Sequence, residues 1–513
     1  MERVSGHDME DGQTRSLLSY LDTAWSNIGS ASIDVELPDV IAYADVGSQW
    51  DSFKHRLAVG FDAGRCYPSG VEIVDLPKDR LMVRPLARLE IEQRLLYEAL
   101  VVAAAPSIKR VVSGSVYSNR WWARKQRFIS PIGSWIKMQR AARRLHRRHP
   151  SRLLARTDIS AFYEHVDVDF LVDDLKQLDI PEWVCNALEA FLVAFNGLSS
   201  AWGIPQGSDM SGMLANLYLT TFDAEIWRSG CQHFRYSDDT YIFGSDWTTI
   251  RQALVNVNRT LRHRHLNLSP SKTDICGSSD VLSRLEDQEK DAINYGLDVG
   301  APGVVSEIRA IFDRAVAKDP VNTRDFKFSL TKLAKLNDAH AVSWIVGNFA
   351  SVPHAAREAL VYLNQFVESD ASIKEAVVEL ITSTQLSIYP YAQQHLLIFM
   401  IRNAIRGRRL ADVAWGILLN KNAETFVREM AARYLGLFGS IGESGRLKQE
   451  YQGEESHRVR RALLVACYES NQCGEKWLEV VATSDPALLT TAEYLQCKPS
   501  CIPRPAIERL PWR

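Results

Sequence analysis

The stretch from residue 234 to residue 243, FRYSDDTYIF, decides the fold of the chain around it. Aromatic residues alternate with polar or small ones on either side of Ser-Asp-Asp, a period-two pattern typical of two half-buried strands joined by a turn. Adjacent carboxylates at such a turn repel each other unless a cation neutralises them. Asp238 and Asp239 therefore predict a metal site, with a solvated acidic turn as the alternative.

A third carboxylate, Asp158, follows the apolar, strand-like run 153–157. Transfer of a nucleotidyl group uses two divalent ions about 3.5–4 Å apart, and carboxylates on neighbouring strands are their usual hard-oxygen ligands. Asp158, Asp238 and Asp239 meet this requirement. We therefore predict that they bind Mg²⁺, or Mn²⁺ in its place, together with the backbone of Ile159.

Four motifs in this region resemble those of reverse transcriptases. Residues 236–239 (YSDD) look like the YxDD box, and residues 158–163 (DISAFY) look like the first palm motif, Asp-x-x-x-Phe-Phe/Tyr. Residues 203–219 resemble the Pro-Gln-Gly segment with its helix, and residues 266–273 resemble the lysine motif that follows the hairpin. One such box is a weak signal, whereas four in the family's order are a strong one.

The resemblance implies a reverse-transcriptase palm and fingers of mixed α/β (α+β) class. It places Tyr163, next to Phe162, where a bulky ring excludes a ribose 2′-hydroxyl; an aromatic packed in the palm core is the alternative. It also implies that Gln206 and Gly207 contact the nucleotide. Lys272 would neutralise or protonate the departing pyrophosphate, since an ammonium can donate a proton when its pKa is lowered; a solvated surface lysine is the alternative.

The residues around the Pro-Gln-Gly segment agree with a tight loop that leads into a helix. Glycine and proline permit the bend, and Ser208 is a good N-cap. Apolar residues then recur at three- and four-residue steps from Met210 to Ile226. This pattern predicts one amphipathic helix that stops at Gly230.

Upstream, residues 120–149 contain ten Lys or Arg residues and no Asp or Glu. Aromatic rings are interleaved with these cations: Trp121, Trp122, Phe128 and Trp135. Cations beside stacking rings suit single-stranded nucleic acid, so the segment predicts nucleic-acid-binding fingers, with a solvated charged face as the alternative for 140–148. In the resemblance a fingers cation contacts the incoming triphosphate, and we expect Arg120 first and Lys125 second. An apolar helix before this segment is predicted to stop at Pro106.

Composition bounds the rest of the chain. At 513 residues, 46% hydrophobic and 24% charged, it is expected to form two to four ordered domains. No apolar run reaches 18 residues and residues 1–14 are polar, so we expect a frayed N-terminus, no membrane segment and a cytoplasmic protein. Four late cysteines lack the paired spacing of zinc modules, which favours buried thiols over zinc. They are Cys467, Cys473, Cys497 and Cys501.

The predicted domains are an N-terminal helical extension (1–80), fingers (81–150), a palm with the catalytic motifs (151–280) and an all-α domain (281–513). Within the last, the segments that begin at Phe426 and Arg458 are related by 32 residues. They resemble HEAT repeats, each opening an apolar helix after a polar turn; an irregular helical bundle is the alternative.

A palm and fingers joined to a helical-repeat domain, without a primer-grip hairpin, resembles the bacterial abortive-infection polymerases that act against phage. That resemblance implies deoxynucleoside triphosphates as substrates, synthesis without a template, and a homo-oligomer whose single-stranded DNA product is attached to a protein hydroxyl. Tyr20, Tyr43 and Tyr67 are candidate primers, because a phenol can attack phosphate once deprotonated. Two rivals remain: a polymerase that copies a bound RNA, and a non-catalytic nucleic-acid-binding or interaction protein.

Overall fold

The computed structural model describes residues 6–28, 32–198, 200–285, 287–299, 301–383, 386–439 and 444–505. These fall into two compact units, each assembled from several stretches of chain. The first unit holds 1–33, 54–73 and 85–292, and the second holds 34–53, 74–84 and 293–513. The four consecutive domains stay a prediction. No helix in the described ranges is both long and apolar enough to cross a membrane.

The region before the palm is mostly helical. Its helices are α1 (Gly6–Asn27), α2 (Ser32–Glu36), α3 (Ala44–Ser48), α4 (Trp50–Asp62), α5 (Ile91–Val111) and α6 (Pro131–Arg148). Its strands form two short two-stranded sheets. One pairs β1 (Glu72–Pro77) with β2 (Val83–Arg88), and the other pairs β3 (Trp121–Trp122) with β4 (Arg127–Phe128) in antiparallel orientation. The expected fraying of residues 1–14 is wrong from Gly6 onward, where α1 begins; residues 1–5 lie outside the described ranges.

The palm alternates strands and helices. In chain order they are β5 (Leu153–Thr157), α7 (Val168–Lys176), α8 (Glu182–Asn196), α9 (Asp209–Tyr218), α10 (Thr220–Arg228), β6 (Gln232–Tyr236), β7 (Asp239–Gly244), α11 (Trp247–Arg262) and β8 (Asp274–Cys276). The strands form one antiparallel sheet in the order β6-β7-β5-β8. The mixed α/β fold expected of this region is confirmed, as is the hairpin at 234–243.

Both faces of the palm sheet are buried, whereas the period-two pattern predicted one. Phe234, Tyr241 and Phe243 pack on the face that α6 covers. On the opposite face, against which α10 and α11 lie, His233 is 1% exposed and Arg235 is fully buried. The polar residues of the pattern therefore point into a second core, because helices flank both sides of the sheet.

Two predictions about helix continuity are wrong, although α10 ends at Arg228, just before the predicted stop at Gly230. The helix expected from Met210 to Ile226 is two helices, α9 and α10, which meet at Leu219. The hydroxyl of Thr220 donates a hydrogen bond to the backbone carbonyl of Leu217 at 2.9 Å. This side-chain bond competes with the backbone hydrogen bond that a continuous helix would make to the same carbonyl. Conversely, α5 continues through Pro106 to Val111, since its burial over most of its length outweighs the one missing N–H.

All elements described after β8 are helical. They are α12 (Val281–Leu285), α13 (Gln288–Val299), α14 (Val304–Val316), α15 (Thr323–Lys335), α16 (Val342–Asn348), α17 (Ala356–Leu363), α18 (Ala371–Thr382), α19 (Pro390–Arg402), α20 (Arg408–Leu419), α21 (Thr425–Phe438), α22 (Ser444–Gly453), α23 (His457–Glu469), α24 (Glu475–Ser484) and α25 (Leu489–Gln496). The two 32-residue-related segments open α21 and α23, which pack against each other. Their likeness to HEAT repeats stays a prediction.

Candidate active site

The turn between β6 and β7 presents the two adjacent carboxylates. Tyr236 pairs with Asp239 across the hairpin, so Ser237 and Asp238 are the two central residues of the turn. Ser237 has a φ of +57°, the left-handed conformation that tight hairpins require and that residues other than glycine adopt at a cost. The turn therefore holds a strained conformation, and the two aspartates at its tip are partly buried.

Asp158 reaches the same place from the neighbouring strand. Thr157 of β5 pairs with Thr240 of β7, so Asp158, one residue further, stands level with Asp239. The side chain of Asp158 is buried, and its Oδ2 accepts a hydrogen bond from Lys272 Nζ at 2.6 Å. The sheet thus brings together four residues that lie as much as 114 positions apart in the chain.

The electrostatics of this group show how close the carboxylates are. Burial and then the negative charge of Asp158 raise the pKa of Asp238 and of Asp239. Burial alone would lower the pKa of Lys272, but its hydrogen bond to Asp158 and the surrounding carboxylates raise it above the ordinary value. Lys272 is therefore a firmly protonated ammonium here, in contrast to the lowered pKa on which the expected proton donation was argued.

The three carboxylates suit a divalent cation in their chemistry but not in their spacing. Three carboxylates are the hard-oxygen donors that Mg²⁺ takes, and burial, followed by the charge of Asp158, raises the pKa of Asp238 and Asp239, which a bound cation would lower. In the described part of the chain, however, no three or more His, Cys, Asp or Glu side chains stand close enough together to hold a metal ion. The strand register places the three carboxylates at one end of the sheet, but they do not stand at the spacing of ligands to one metal ion.

The backbone of Ile159 is turned toward the turn. An isolated antiparallel bridge joins Ile159 to Leu268, and its hydrogen bonds are made by flanking residues, one of them from Ser269 N to Asp158 O at 2.8 Å. In such a pair the carbonyl of the bridged residue points away from the bridging strand. The Ile159 carbonyl consequently faces the side of β5 on which β7 and the aspartates lie.

The two aromatic residues after Asp158 have different surroundings. Phe162 is 3% exposed and belongs to the core. Tyr163 is partly buried, and its hydroxyl lies 3.4 Å from the hydroxyl of Ser237 in the catalytic turn. Burial raises the pKa of Tyr163 to about 12, so the phenol is neutral at physiological pH. Tyr163 rather than Phe162 is therefore the ring that borders the site.

The Pro-Gln-Gly loop is held from two sides. Gln206 O accepts a hydrogen bond from Ala87 N at 2.9 Å, which leaves the Gln206 side chain partly exposed. Gly207 has a φ of +116°, and a Cβ there would lie 2.9 Å from Leu86 Cγ. The loop needs glycine at this position to approach β2. The predicted N-cap is confirmed, since the Ser208 side chain accepts from Met210 N at 3.2 Å.

Asn196 is a loop-positioning residue that the sequence did not reveal. Its side-chain amide donates to Gly203 O at 2.8 Å, and its Oδ1 accepts from Gly203 N at 2.7 Å. The amide thus pairs with the backbone of the loop as a second strand would. An asparagine at the end of an amphipathic helix has no distinguishing sequence signal, because the same residue commonly ends helices exposed to water.

The two fingers cations expected at the triphosphate lie in different settings. Arg120 is partly buried, and its Nη1 donates to Val112 O at 3.2 Å and to Ser113 O at 2.8 Å, at the carboxyl end of α5. Lys125 is exposed in the β3–β4 turn, with Nζ 4.5 Å from the centroid of the Trp122 ring. The side chain of Arg120 is engaged by the protein itself, and Lys125 is the more accessible of the two.

Helix α6 separates its apolar and basic residues cleanly. Ser134, Met138, Ala142 and His146 form its buried face. Four cations form the basic row on the other side, without a hydrogen bond or ion pair to any described residue: Lys137, Arg140, Arg144 and Arg148. Their spacing of three to four residues places them on one face over about 16 Å. The helix begins at the catalytic hairpin, where Tyr236 donates its hydroxyl to Pro131 O at 3.1 Å.

The candidate primers and the late cysteines lie elsewhere. Tyr20 and Tyr67 belong to the first unit and Tyr43 to the second, and all three are partly buried. Of the late cysteines, Cys467 is buried and Cys473 partly so, but Cys497 and Cys501 are exposed. The expectation of buried thiols is wrong for these last two, because they follow α25 where few elements remain to cover them.

Comparison with known proteins agrees with the motifs. Residues 83–295 match the family model described as reverse transcriptase (RNA-dependent DNA polymerase). Among solved structures, telomerase from Candida albicans in complex with a TWJ fragment of telomeric RNA is 12% identical to this chain. The match covers 63% of this chain and 66% of that telomerase chain, so this chain spans just under two thirds of the telomerase. Apo telomerase from Candida tropicalis is 8% identical, with 87% and 74% covered. Both have a TM-score of 0.31, and no curated protein matches.

At these identities and TM-scores the likeness to telomerase carries no weight, and the assignment depends on the family match and on the site. The matched residues include every motif described above, from Asp158 to Lys272. Residues 83–295 therefore form a region that matches the reverse transcriptase family, whose members are nucleotidyltransferases with DNA polymerase chemistry.

Proposed function

We propose that the protein adds deoxynucleotides to a hydroxyl by metal-assisted phosphoryl transfer, without a template and with one of its own hydroxyls as primer. The observation that carries the chemistry is the meeting of Asp158, Asp238 and Asp239 at one end of the palm sheet, beside the protonated Lys272. These carboxylates, with the Ile159 carbonyl, would hold Mg²⁺ or Mn²⁺. The bound ions supply charge neutralisation at the attacking oxygen and the pyrophosphate.

The remaining steps belong to the protein's own residues. Tyr163 lies against the catalytic turn, where its ring would meet the sugar of the nucleotide and exclude a 2′-hydroxyl. The primer hydroxyl releases its proton to solvent as its oxygen attacks the α-phosphorus, the bond from that phosphorus to the oxygen shared with the β-phosphate breaks, and pyrophosphate leaves with a proton from Lys272. The negative charges of Asp158, Asp238 and Asp239 raise the pKa of Lys272, so cations that neutralise those carboxylates would lower this pKa again and make the proton transferable to the leaving oxygen.

The absence of a particular element supports synthesis without a template. In reverse transcriptases that copy long templates, a hairpin follows the lysine motif and grips the primer. Here β8 is followed, in the described ranges, by helices alone. A chain held by a covalent bond to the protein needs no such grip. The basic row of α6, unpaired and starting at the catalytic hairpin, offers a surface for the single-stranded product.

The action against phage by abortive infection, the cytoplasmic location and the homo-oligomer are parts of the same proposal. They are supported by the order of a polymerase domain followed by an all-helical region. Cells that express the parent or Asp238→Asn protein would be challenged with phage. We expect the parent alone to limit phage yield, and equal yields would contradict the defence role.

The chemical proposal is tested by incubating purified protein with Mg²⁺ and each labelled deoxynucleotide, without template or primer. We expect label to become attached to the polypeptide and to resist denaturation. The description of the matching family as RNA-dependent favours one rival, copying of a bound RNA. Synthesis only of sequence complementary to added RNA would establish that rival. Loss of nucleic-acid binding itself on Asp238→Asn would instead indicate the non-catalytic alternative.

A further inference from the structure

Behind the catalytic turn lies a fully buried arginine whose nitrogens are all bonded. Arg235 precedes Tyr236 in β6 and is 0% exposed. Its Nε and Nη2 donate to the two carboxylate oxygens of Asp223 in α10, at 2.9 and 2.7 Å. Its Nη1 donates to Asn216 Oδ1 and to the backbone carbonyl of Ser237, both at 2.9 Å. The guanidinium that is paired with Asp223 therefore also holds the backbone carbonyl of Ser237, in the turn that carries Asp238.

The backbone N–H of Ser237 is held by a second buried side chain. Ser237 N donates to Ser118 Oγ at 2.8 Å, and Ser118 is 1% exposed. Asn216 links these two residues, because its Nδ2 donates to Ser118 O at 2.9 Å while its Oδ1 accepts from Arg235. Ser118, Asn216, Arg235 and Ser237 thus form a closed ring of hydrogen bonds. Both polar atoms of the Ser237 backbone are therefore fixed by buried side chains. Free turns leave these atoms to water.

The three holding residues come from separate parts of the first unit. Ser118 lies between α5 and β3, Asn216 lies in α9 directly after the Pro-Gln-Gly loop, and Arg235 lies in the hairpin. The segment around Ser118 is packed closely against α9, since a Cβ on Gly212 would lie 2.4 Å from the Asn119 side chain. Asn119 also donates to Asp209 Oδ1 at 3.1 Å.

We propose that Ser118, Asn216 and Arg235 are positioning residues, which hold Ser237 in its left-handed conformation and thereby aim Asp238 and Asp239 at the reacting groups. The ring links the helix that follows the Gln206 loop to the catalytic turn through direct hydrogen bonds. Buried side chains that served the core alone would not need to engage both polar backbone atoms of one strained residue, as Arg235 and Ser118 do here. This inference rests on the proposed function for the purpose it gives to the turn.

The most direct test is Ser118→Ala, which removes the acceptor of Ser237 N and leaves the Arg235–Asp223 pair intact. Ser107→Ala is the matched control, because Ser107 is also buried and loses a hydroxyl bond, to Asp179 O, away from the turn. Three quantities are measured on the full chain. They are amide hydrogen exchange at residues 236–239, the Kd of Mn²⁺ without nucleotide by electron paramagnetic resonance, and kcat with nucleotide KM.

We expect Ser118→Ala to speed exchange of the Ser237 amide and to weaken Mn²⁺ binding about fivefold, the scale of one lost hydrogen bond. The Ser118→Ala variant should have a lower kcat and an unchanged nucleotide KM. Its melting temperature should equal that of Ser107→Ala. Exchange and Mn²⁺ binding equal to those of Ser107→Ala would overturn the positioning role. Should Ser118→Ala not fold, Asn216→Ser shortens the amide and interrupts the same ring.

Asp238→Asn, measured in parallel, separates this inference from the proposed function. If Asp238→Asn keeps full incorporation, the proposed chemistry is wrong, and the exchange measurement still decides whether the ring holds the turn. If Asp238→Asn is inactive while Ser118→Ala matches its control in exchange, binding and kcat, only the positioning role is wrong.

Discussion

Lys272 Nζ lies 2.6 Å from Asp158 Oδ2, so the last of the sequence motifs is paired with the first. The ammonium neutralises one of three carboxylates that otherwise repel one another. A cation that enters the site would compete with Lys272 for Asp158. Lys272, displaced from Asp158, would then be available to the leaving pyrophosphate.

Lys272 should affect turnover more than nucleotide affinity. A general acid contributes about 10²- to 10⁴-fold to rate, whereas an arginine supplies charge but no transferable proton. We expect Lys272→Ala to lower kcat by at least about 100-fold, and Lys272→Arg to recover only part of that loss. Single-turnover kinetics measure both. Full activity of Lys272→Arg would show that charge alone suffices, and full activity of Lys272→Ala would exclude any role.

Asp238→Asn should abolish incorporation without loss of the fold. The change removes a predicted metal ligand and one of several mutually repelling carboxylates, so the melting temperature in metal-free buffer should be equal to or above the parent's. Asp274→Asn is the control, since Asp274 is an exposed carboxylate on β8 of the same sheet. A drop in melting temperature for Asp238→Asn, or retained incorporation, would contradict the assignment.

Tyr163→Ala should admit ribonucleotides, because the ring that stands beside the catalytic turn is removed. Tyr163→Phe keeps the ring and loses only the hydroxyl near Ser237, so it should discriminate as the parent does. The measurement is the ratio of kcat/KM for a deoxynucleotide to that for the matching ribonucleotide. If Tyr163→Ala rejects ribonucleotides as strongly as the parent, the ring is part of the core only.

The basic row of α6 should bind single-stranded DNA through its phosphates. Reversing Arg140 and Arg144 to Glu should weaken binding and lower the slope of log K against log salt concentration by about 0.7 per lost contact. Arg251→Glu is the control, as Arg251 is an exposed cation on α11. Fluorescence anisotropy over a salt series measures both quantities. An unchanged slope would mark the row as a solvated face.

Arg461 should be the most sensitive ion-pair residue of the second unit. It bonds Asp39 Oδ2 at 2.5 Å and Asp45 Oδ1 at 2.9 Å, and both aspartates are buried. Arg461→Ala would leave two buried carboxylates without their cation and should cost about 3–5 kcal/mol of unfolding free energy. Arg409→Ala, which breaks an exposed pair with Glu379, should cost less than about 1 kcal/mol. Urea unfolding distinguishes the two.

The same cluster sets a pH dependence. Burial opposes ionisation of Asp39, but Arg461 holds the pKa of Asp39 below its ordinary value. A lowered folded-state pKa means that the stabilisation is complete above the ordinary aspartate value and is lost as pH falls through the lowered one. The parent should therefore lose stability in acid more steeply than Arg461→Ala. Parallel acid-unfolding curves would contradict this origin.

The catalytic motifs were predictable because their chemistry needs particular residue types at nearly fixed spacing. Asp158, Asp238 and Asp239 are recognised by such spacing, and the hairpin and the Ser208 cap follow from local preferences. The ends of α5 and the break at Leu219 were not predictable. They depend on burial by distant elements and on one side-chain bond, which override local propensity.

Arg235 shows where the pattern in the sequence misleads. A period-two strand with a charged residue between aromatics indicates one wet face, yet the arginine is fully buried against Asp223. By itself the sequence determined the candidate reacting groups, because the proposed reaction needs particular residue types at nearly fixed spacing. Only the tertiary structure decided their partners: which cation pairs with Asp158, which side chains hold Ser237, and which arginines of α6 stay unpaired. Two of those contacts, Asp158 with Lys272 and Ser118 with Ser237, join residues more than a hundred positions apart, and local periodicity carries no information about them.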